Sequence, residues 1–387
     1  VLRWAGGEFG APIPRMASWL ARVVPLLTIG LLAVELTLPH GQPYWLVPLV
    51  VGIGVLRRWK GEVEATFAGA GVGESSLSRR GDLVREAERL EPRSPLLEEI
   101  RDALGRGDES ASRGLRKLGH WVSLAEVRLS QLHFPLNVVF LWDIHIASGL
   151  DRWRSRWGHR VEAWIEGLAT LDALAAVGGL AHENPDWAFP RFVEEPVLRG
   201  EALGHPLLPP ATCVRNDVTV GPPGSVLVVT GSNMSGKSTL LRALGVNAVL
   251  ARAGAPVCAR SLSLPPLTVA TCMRVEDSLA DGTSLFMAEL ERLKRVVEAA
   301  SGERAALILL DEILHGTNTA ERQIAARTVL RTLAGSRAIG AISTHDLELI
   351  DTPDLRDLSI PVHFREEVSR APDGTPATRE TDRVAPA

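Results

Sequence analysis

Gly231, Gly236, Lys237 and Ser238 have the residue types and the spacing that suit the binding of a phosphate group. Glycines let a backbone curl so that successive N–H groups point at one anion, and a helix that begins behind them adds about half a positive charge. The ammonium group of Lys237 would reach the β- and γ-phosphates, and the Ser238 hydroxyl would ligate Mg²⁺. The pattern G-x-x-x-x-G-K-S therefore predicts a site for ATP and Mg²⁺.

The segments on either side of this loop predict the elements that would hold it in place. The β-branched run from Val226 to Thr230 predicts a strand, and the apolar periodicity from Thr239 to about Ala253 predicts a helix. Lys237 is one of only four lysines among the 42 basic residues of the chain, so a compact ammonium group stands where arginine is the usual choice. A Gly- and Ser-rich turn before a helix is the alternative, and the strand–loop–helix order argues against it.

A second apolar run, "LILLDE" at 307–312, ends in two carboxylates. We expect Asp311 to lie at the tip of a strand beside Ser238, as the second Mg²⁺ ligand, and Glu312 to orient or deprotonate the attacking water. His345 in "AISTHDLEL" follows the next predicted strand, where an imidazole could sense the γ-phosphate; a solvated or capping histidine is the alternative. The sequence thus predicts a catalytic set of Lys237, Glu312 and His345.

Ser284 ends the turn "DGTS" that leads into a predicted helix. A helix cap is the simple interpretation of this serine. In the other interpretation, the helix N-terminus with Ser284 faces the γ-phosphate of a nucleotide held by another subunit. The physical chemistry of the sequence does not choose between the two.

The composition bounds the class of protein. The 387 residues are 45% hydrophobic and 23% charged, which leaves room for two or three domains with a sizeable core. The net charge of −4 does not indicate a nucleic-acid partner. Cys213, Cys258 and Cys272 are scattered and lack C-x-x-C spacing, so neither a disulfide framework nor a zinc site is predicted.

Two apolar stretches near the N-terminus, 17–38 and 43–56, predict a transmembrane hairpin within residues 1–60. Arg15 and Arg22 on one side and the basic cluster at 57–60 on the other would put both ends in the cytoplasm. The chain would then contact the membrane through residues 17–59 and work at its cytoplasmic face. A buried or amphipathic helix pair in a cytoplasmic protein, and a cleaved signal peptide, are the alternatives.

The rest of the chain divides by pattern. Residues 61–200 predict a helical core or lever-like domain, with tryptophans as core fillers, and proline and glycine mark a junction at 185–224. Alternating strands and helices from 201 to 365 predict an α/β domain with a mostly parallel sheet. The polar, turn-rich residues 366–387 predict a disordered tail.

Four segments, in this order and at these distances, resemble the ATPase domain of the MutS DNA mismatch-repair family. They are "TGSNMSGKSTLLRALGVNAVLARAGAPVCA", "DSLADGTSLFMAEL", "LLDEILHGTNTAERQ" and "STHDLEL", and the resemblance covers about residues 203–365. The loop serines Ser232 and Ser235, with the apolar segments upstream, are similar to a bacterial MutS-related branch that carries predicted membrane segments.

The resemblance implies a P-loop ATPase of the ABC type that works as a homodimer with composite sites. The nucleotide-binding residues would be Gly231, Ser232, Asn233, Met234, Ser235, Gly236, Lys237, Ser238 and Thr239, together with Ser284 across the dimer; Thr317 and Asn318 match an interface loop. Ser238 and Asp311 would hold the metal. No segment resembles the mismatch-reading domain, and the chain ends soon after "VHFREE", so we expect no mismatch reading and leave the strength of the dimer open.

Three functions follow as hypotheses. The first is a MutS-like ATPase that couples ATP-driven closure of a dimer to DNA binding, with the arginine-rich run "RWRSRWGHR" at 152–160 as the DNA-contacting candidate. The second is a membrane-anchored P-loop ATPase that acts on a protein partner without nucleic acid. The third is an idle relative that persists as a binding module.

Overall fold

The computed structural model describes residues 2–7, 11–38, 42–71, 81–232, 235–273, 285–302, 305–313, 319–345, 356–365, 369–370, 376–377 and 383–386. The chain divides into two compact units, Val1–Ala175 and Ala176–Ala387. The first is helical and the second is built on β-sheets. Their boundary falls within a long helix, whereas the sequence predicts a domain boundary at the proline-rich junction about 25 residues later.

Unit 1 consists of helices. They are α1 (Leu2–Ala5), α2 (Arg15–Thr37), α3 (Leu46–Arg58), α4 (Lys60–Gly69), α5 (Gly81–Arg89), α6 (Pro95–Leu104), α7 (Ala111–Ala125), α8 (His133–Phe140), α9 (Trp142–Trp157) and the first part of α10 (Val161–Glu183). Single 3-10 turns lie at Gly107–Glu109, Glu126–Leu129 and Gly158–Arg160. Ser94 begins α6 as an N-cap, because its hydroxyl accepts a hydrogen bond from the backbone N–H of Leu97.

Tryptophans form the core of unit 1, as the sequence predicts. The ring of Trp4 stacks on that of Trp153 with centroids 5.9 Å apart, and Trp157 lies 5.6 Å from Trp164. The Trp153 indole N–H donates to the carbonyl of Gly114, so this buried polar group is satisfied. Large rings need small neighbours, and glycines on α7 and α9 supply the space.

Helices α2 and α3 pack against each other, and we call them the α2–α3 pair. Helix α9 runs beside α2 in the opposite direction, since Ser18 bonds Ser148 and the His145 ring bonds the carbonyl of Ala21. Two helical stretches of the described residues, Arg15–Thr37 and Trp142–Glu183, are long and apolar enough to cross a membrane. Helical cores and signal sequences share these properties, so length and composition alone are weak evidence for insertion.

A six-stranded sheet forms the centre of unit 2. Its strands are β4 (Val226–Thr230), β6 (Thr268–Cys272), β7 (Ala306–Asp311), β8 (Ile339–Ser343), β9 (Ser359–Arg365) and β12 (Arg383–Pro386), in the order β12-β9-β4-β8-β7-β6. All neighbouring strands except β12 and β9 pair in parallel. Helices α11 (Lys237–Arg252), α12 (Leu285–Ala300) and α13 (Thr319–Ala334) connect them. The predicted α/β domain with a mostly parallel sheet is confirmed.

The predicted junction at 185–224 contains structure that the sequence pattern did not reveal. Strands β1 (Arg191–Phe192), β2 (Leu198–Leu203) and β3 (Asn216–Val220) join β5 (Ser261–Leu264) in a second sheet with the order β1-β5-β2-β3. Residues of β3 alternate between buried and exposed. Prolines and glycines between these short strands mark turns, and a strand of five residues is too short to stand out against them.

The C-terminal residues also differ from the expectation. The sequence predicts disorder for 366–387, whereas the structure describes β10 (Ser369–Arg370), β11 (Pro376–Ala377) and β12 there. Strand β12 pairs antiparallel with β9, with Val384 opposite Phe364. An edge strand presents unpaired N–H and C=O groups, and a polar segment can occupy them without an apolar pattern of its own.

Gly149 on α9 tests the tight packing of unit 1. A Cβ atom there would lie 2.7 Å from atoms of the Trp121 ring, so we expect Gly149→Ala to destabilise the protein by roughly 1–3 kcal/mol. Gly61 on α4 is the matched control, since a Cβ there meets nothing within 4 Å and alanine favours a helix. Urea unfolding followed by tryptophan fluorescence should show a lower midpoint for Gly149→Ala only. Equal midpoints for the two variants would contradict this packing.

Candidate functional site

The glycine loop, residues 231–238, follows the fully buried strand β4, and its last two residues begin helix α11. Gly231 has φ +150° and a Cβ atom there would come within 2.8 Å of the Ser235 hydroxyl oxygen. Gly236 has φ +92° directly before the first residue of α11. Both positions thus need glycine, one for close approach and one for the left-handed backbone. The loop brings the N-terminus of a 16-residue helix to the edge of the sheet.

Lys237 is the first residue of α11, and its side chain reaches back to the start of the loop. Its side chain is buried with 5% exposure, and its Nζ donates to the carbonyl oxygens of Gly231 at 3.0 Å and Ser232 at 2.7 Å. An ammonium group has three N–H donors, so two hold the loop and one remains for a ligand oxygen. The positive charge is therefore fixed at the helix N-terminus, where both favour an anion.

Ser235 supplies an independent sign that the loop fits a phosphate. Its hydroxyl oxygen is buried and has no hydrogen-bond partner among the described residues. A buried hydroxyl without a partner costs free energy, and such groups are rare in folded proteins. A phosphate oxygen in the loop would give it an acceptor.

Asp311 and Ser238 meet as the sequence predicts for two metal ligands. Asp311 ends β7, and its Oδ1 accepts a hydrogen bond from the Ser238 hydroxyl at 2.9 Å. Ser343 on β8 also donates to the same oxygen. A hydroxyl and a carboxylate oxygen are hard ligands of the kind that Mg²⁺ uses beside phosphate oxygens and water. The donor set fits the predicted ion.

Glu312 and His345 form a second polar pair next to the first. The Glu312 Oε1 lies 3.6 Å from Nδ1 of His345, and both side chains are partly exposed. Glu312 has φ +47°, which is unusual for a residue with a side chain and turns the chain away from the direction of β7. Its N–H donates to the carbonyl of Ser343, which fastens this turn to β8. The turn places the Glu312 carboxylate beside His345, at the same strand ends as the Ser238–Asp311 pair.

Ser343 is a site residue that the sequence analysis missed. It is fully buried and lies opposite Asp311 in the register of β7 and β8. Its position two residues before His345 at the end of a predicted strand was the available signal. Only the pairing of the strands shows that its hydroxyl reaches the carboxylate.

Several predicted residues lie outside the described part of the chain. They are Asn233 and Met234 in the loop, Ser284 before α12, and Thr317 and Asn318 after β7. Thr239 lies in the first turn of α11 with an exposed side chain, and Ser232 is also exposed. The described residues therefore bring together Gly231, Ser235, Gly236, Lys237, Ser238, Asp311, Glu312 and His345.

Cys272 lies at the end of β6 beside this edge of the sheet and does not extend the site. Burial, and secondarily the charge of Glu289, raises the pKa of its thiol to about 11. A thiol is a nucleophile or a strong metal ligand only as the thiolate, so Cys272 stays inert near neutral pH. No group of three His, Cys, Asp or Glu side chains among the described residues forms a metal cluster elsewhere.

The arginine-rich run at 152–160 offers less free charge than its sequence suggests. Arg154 pairs with Asp151 at 3.2 Å and lies over the Trp4 ring, and Arg160 bonds Glu109. Arg152 and Arg156 are exposed. Arg156 also lies over the ring of Trp157, so three of the four arginines contribute to the packing of unit 1, and the run is not a continuous basic surface.

Comparison with known proteins gives two findings for this part of the chain. The family model described as MutS domain V matches residues 227–369, which begin in β4 and include the described site. The chain is 34% identical over 226 residues to the DNA mismatch repair protein MutS 2 of Halobacterium salinarum. That alignment covers 56% of this chain and 25% of the relative. The chain therefore spans about a quarter of the length of the curated relative that it matches.

Lys237 gives a direct test of the loop. Lys237→Met removes the buried ammonium group and keeps a similar length, so we expect binding of a fluorescent ATP analogue to weaken by at least about 100-fold because a charge-assisted contact is lost. Lys294→Met on α12 is the control, since Lys294 is exposed and pairs only loosely with Glu298 at 3.9 Å. Fluorescence titration measures both variants. Equal affinity of the Lys237 variant and the unmodified protein would show that the nucleotide does not use this loop.

Proposed function

We propose that this chain, which belongs to the MutS family through its MutS domain V, binds ATP with Mg²⁺ at residues 231–238 and hydrolyses the nucleotide. One observation carries the proposal. The Lys237 loop, the Ser238–Asp311 pair and the Glu312–His345 pair follow the ends of three adjacent strands, β4, β7 and β8. Ligands of parallel α/β sheets bind at this edge.

Each group has one task in the proposed reaction. The loop N–H groups and Lys237 hold the β- and γ-phosphates, and the buried Ser235 hydroxyl donates to a phosphate oxygen. Ser238 and Asp311 hold Mg²⁺, which neutralises charge on the phosphates when bound. Glu312 accepts a proton from the attacking water, and His345 holds the orientation of that carboxylate and contacts the γ-phosphate. Such an arrangement is the P-loop type of site, and the ABC type is the finer class that we propose.

We further propose that the protein works as a homodimer and couples ATP binding to DNA binding without reading mismatches. The relative in Halobacterium is named a DNA mismatch repair protein, and the family resemblance supports Ser284 as the residue presented across the dimer. The exposed Arg152 and Arg156 support at most a small phosphate contact in unit 1. DNA binding is therefore supported more by the resemblance to the family than by any basic surface among the described residues.

Glu312→Gln separates binding from turnover. The amide keeps the shape of the side chain and cannot accept a proton, so we expect ATP to bind with little change while the rate of phosphate release falls at least about 100-fold. Glu298→Gln on α12, whose carboxylate is exposed, is the matched control. A Glu312 variant that turns over ATP at the original rate would remove Glu312 from the mechanism. Failure of the unmodified protein to release phosphate at millimolar ATP would overturn the enzyme assignment.

DNA binding is tested on the full chain in detergent or nanodiscs. The chain is not shortened, because helices α2 and α3 contribute Ala17, Ala21, Val24 and Val55 to the core of unit 1, and removing these helices would expose that core. The ATPase rate is measured with branched, mismatched and single-stranded DNA. Stimulation that weakens as salt rises supports DNA coupling. A rate that is indifferent to all three favours a protein partner.

A membrane-anchored ATPase that acts on a protein partner is the second candidate, and one observation favours it. The outer faces of α2 and α3 expose large apolar side chains, a pattern that water-soluble surfaces avoid in patches of this size. These side chains are Leu26, Leu27, Ile29, Leu31, Leu32, Val34, Leu36, Leu46, Val47, Val50, Val51 and Ile53. Basic residues at 57–60 would keep the following chain at the cytoplasmic face.

Charged residues introduced on the outer faces of α2 and α3 test whether this helix pair anchors the protein in a membrane. Leu27→Lys combined with Val50→Lys alters two exposed side chains, so the fold should persist, while each lysine in hydrocarbon costs about 3 kcal/mol. We expect the unmodified protein to float with vesicles in a density gradient and the double variant to stay in the soluble fraction. Leu207→Lys in unit 2 is the control, since Leu207 is 80% exposed and lies far along the chain from the α2–α3 pair. Flotation of the double variant together with the control would contradict the anchor.

A further inference from the structure

A second apolar surface lies in unit 1 beside the α2–α3 pair, outside the segments that the sequence analysis assigned to a membrane. It consists of the end of the 3-10 turn Glu126–Leu129 and helix α8. No residue of α8 is buried, although five of its eight residues are large and apolar. Leu129 is 86% exposed and Phe134 is 75% exposed, and Leu132 and Phe140 are also exposed. We call residues 129–140 the α8 segment.

The two polar side chains of α8, those of His133 and Asn137, face Asp143, whereas Ser130 and Gln131, which precede the helix, are exposed. The His133 ring lies 3.0 Å from one carboxylate oxygen of Asp143, and the Asn137 amide donates to the other at 3.1 Å. Arg128 lies 3.4 Å from the same carboxylate and over the ring of Phe67. Asp143 itself is buried. Residues 129–142 contain no Asp, Glu, Lys or Arg, so the outward surface of the α8 segment carries no charge.

The α8 segment meets the α2–α3 pair part of the way along its length. A Cβ atom on Gly52 of α3 would lie 3.9 Å from the carbonyl oxygen of Val138 in α8, 3.2 Å from the side chain of Leu141, which follows α8, and 3.3 Å from that of Val24 on α2. From this level α9 runs beside α2 towards the N-terminus of α2, as the Ser18–Ser148 bond shows. On the other side of this level, residues 25–37 of α2 extend past the end of α9. At 1.5 Å per residue they reach about 20 Å.

The part of the α2–α3 pair that extends beyond Val24 is too short to cross a bilayer by itself. The hydrocarbon core of a bilayer is about 30 Å thick, roughly 10 Å more than the extension beyond Val24. A helix that lies in the interface sinks its apolar face about 5–10 Å into the boundary of the acyl chains. Immersion of the α8 segment would therefore supply the depth that the pair lacks.

The charges along the pair argue for a bilayer as the occupant of this surface. Arg22 is exposed about one half-turn before Val24, and Arg57 and Arg58 are exposed at the same end of the pair. Exposed apolar residues follow, and Tyr44 is exposed at the opposite end. Basic, apolar and aromatic layers in this order match anionic headgroups, acyl chains and the far interface. In a dimer formed through this surface, the arginines of one copy would face those of the other, and their like charges would repel.

We propose that residues 129–140 form a third lipid-contacting segment, which lies in the plane of the bilayer at the basic end of the α2–α3 pair and sets the depth to which the pair inserts. The inference rests on the proposed insertion of the pair. The ligand of the α8 segment is then the acyl-chain and glycerol region of one lipid leaflet. This placement also explains why the His133 and Asn137 side chains of α8 pair with the buried Asp143, since polar groups near hydrocarbon must be satisfied within the protein.

Fluorescent probes on single cysteines test the depth of the segment in the full chain. In a Cys213→Ser background, Phe134→Cys reports on α8, Leu31→Cys on the inserted part of α2, and Phe189→Cys on an exposed position of unit 2. The labelled proteins are mixed with vesicles of phosphatidylethanolamine and phosphatidylglycerol that carry bromine either near the headgroup end or near the terminal end of the acyl chains. We expect shallow bromine to quench the probe at 134, deep bromine to quench the probe at 31, and neither to quench the probe at 189.

The outcomes separate the two proposals. Quenching at 31 without quenching at 134 overturns the role of the α8 segment and leaves the anchor intact. A lack of quenching at both positions overturns the anchor and the α8 inference with it. Protection of the probe at 134 by formation of a dimer in the absence of lipid would assign the surface to a second copy and also overturn the inference.

A charge substitution gives a second measurement that does not depend on labels. Leu129→Glu combined with Leu132→Glu should lower the partition coefficient onto the same vesicles by at least about tenfold per residue, because each leucine loses its burial in lipid. Leu207→Glu, at a comparably exposed position of unit 2, should leave partition unchanged. An unchanged partition coefficient for the double variant would overturn the proposal.

Discussion

The meeting of parallel strand ends at one edge of a sheet is the constraint on which the rest of unit 2 depends. A nucleotide site of this kind needs helix N–H groups, an ammonium group, a metal-binding pair and a base within a few ångströms of each other. In the chain, the proposed base Glu312 comes 75 positions after Lys237, and its partner His345 comes 108 positions after Lys237. Strands β4, β8 and β7 lie side by side and each ends in one part of the site. Because all three run in the same direction, the parts meet without further adjustment.

The two neighbouring carboxylates show how local backbone geometry divides the work. Asp311 completes β7 and faces Ser238 and Ser343, while Glu312 turns through a positive φ and faces His345. A left-handed conformation at a residue with a side chain costs on the order of 1–2 kcal/mol and persists where the surroundings enforce it. Here the hydrogen bond from Glu312 to β8 enforces it. The two adjacent acids thereby face different partners, which suits the separate roles towards a metal and towards water that we propose for them.

The two units differ in how completely they bury their apolar residues. Unit 2 buries its apolar strands between helices, and all five residues of β4 and of β8 are buried. Unit 1 buries a tryptophan core but leaves the outer faces of α2, α3 and the α8 segment apolar and exposed. Burial of such area in water-free surroundings would be worth about 25 cal/mol per Å², so an unpartnered surface of this extent indicates a partner that is not water. We propose the bilayer as this partner, because the layering of charge and aromatic residues matches it.

The sequence by itself determined the elements that depend on neighbours along the chain. The loop around Lys237, the strand that ends at Asp311 and the helices between them follow from local spacing and periodicity, while the MutS family was a resemblance of whole segments that the match to MutS domain V over residues 227–369 supports. Only the tertiary structure decided the short strands β1 to β3, the pairing of β12 with β9, the contact of Ser343 with Asp311, the internal use of Arg154 and Arg160, and the level at which α8 meets α2. The reason is physical: a short strand, a hydroxyl or an arginine carries no pattern that names its partner, because that partner is set by the register of strands and the packing of helices distant in sequence.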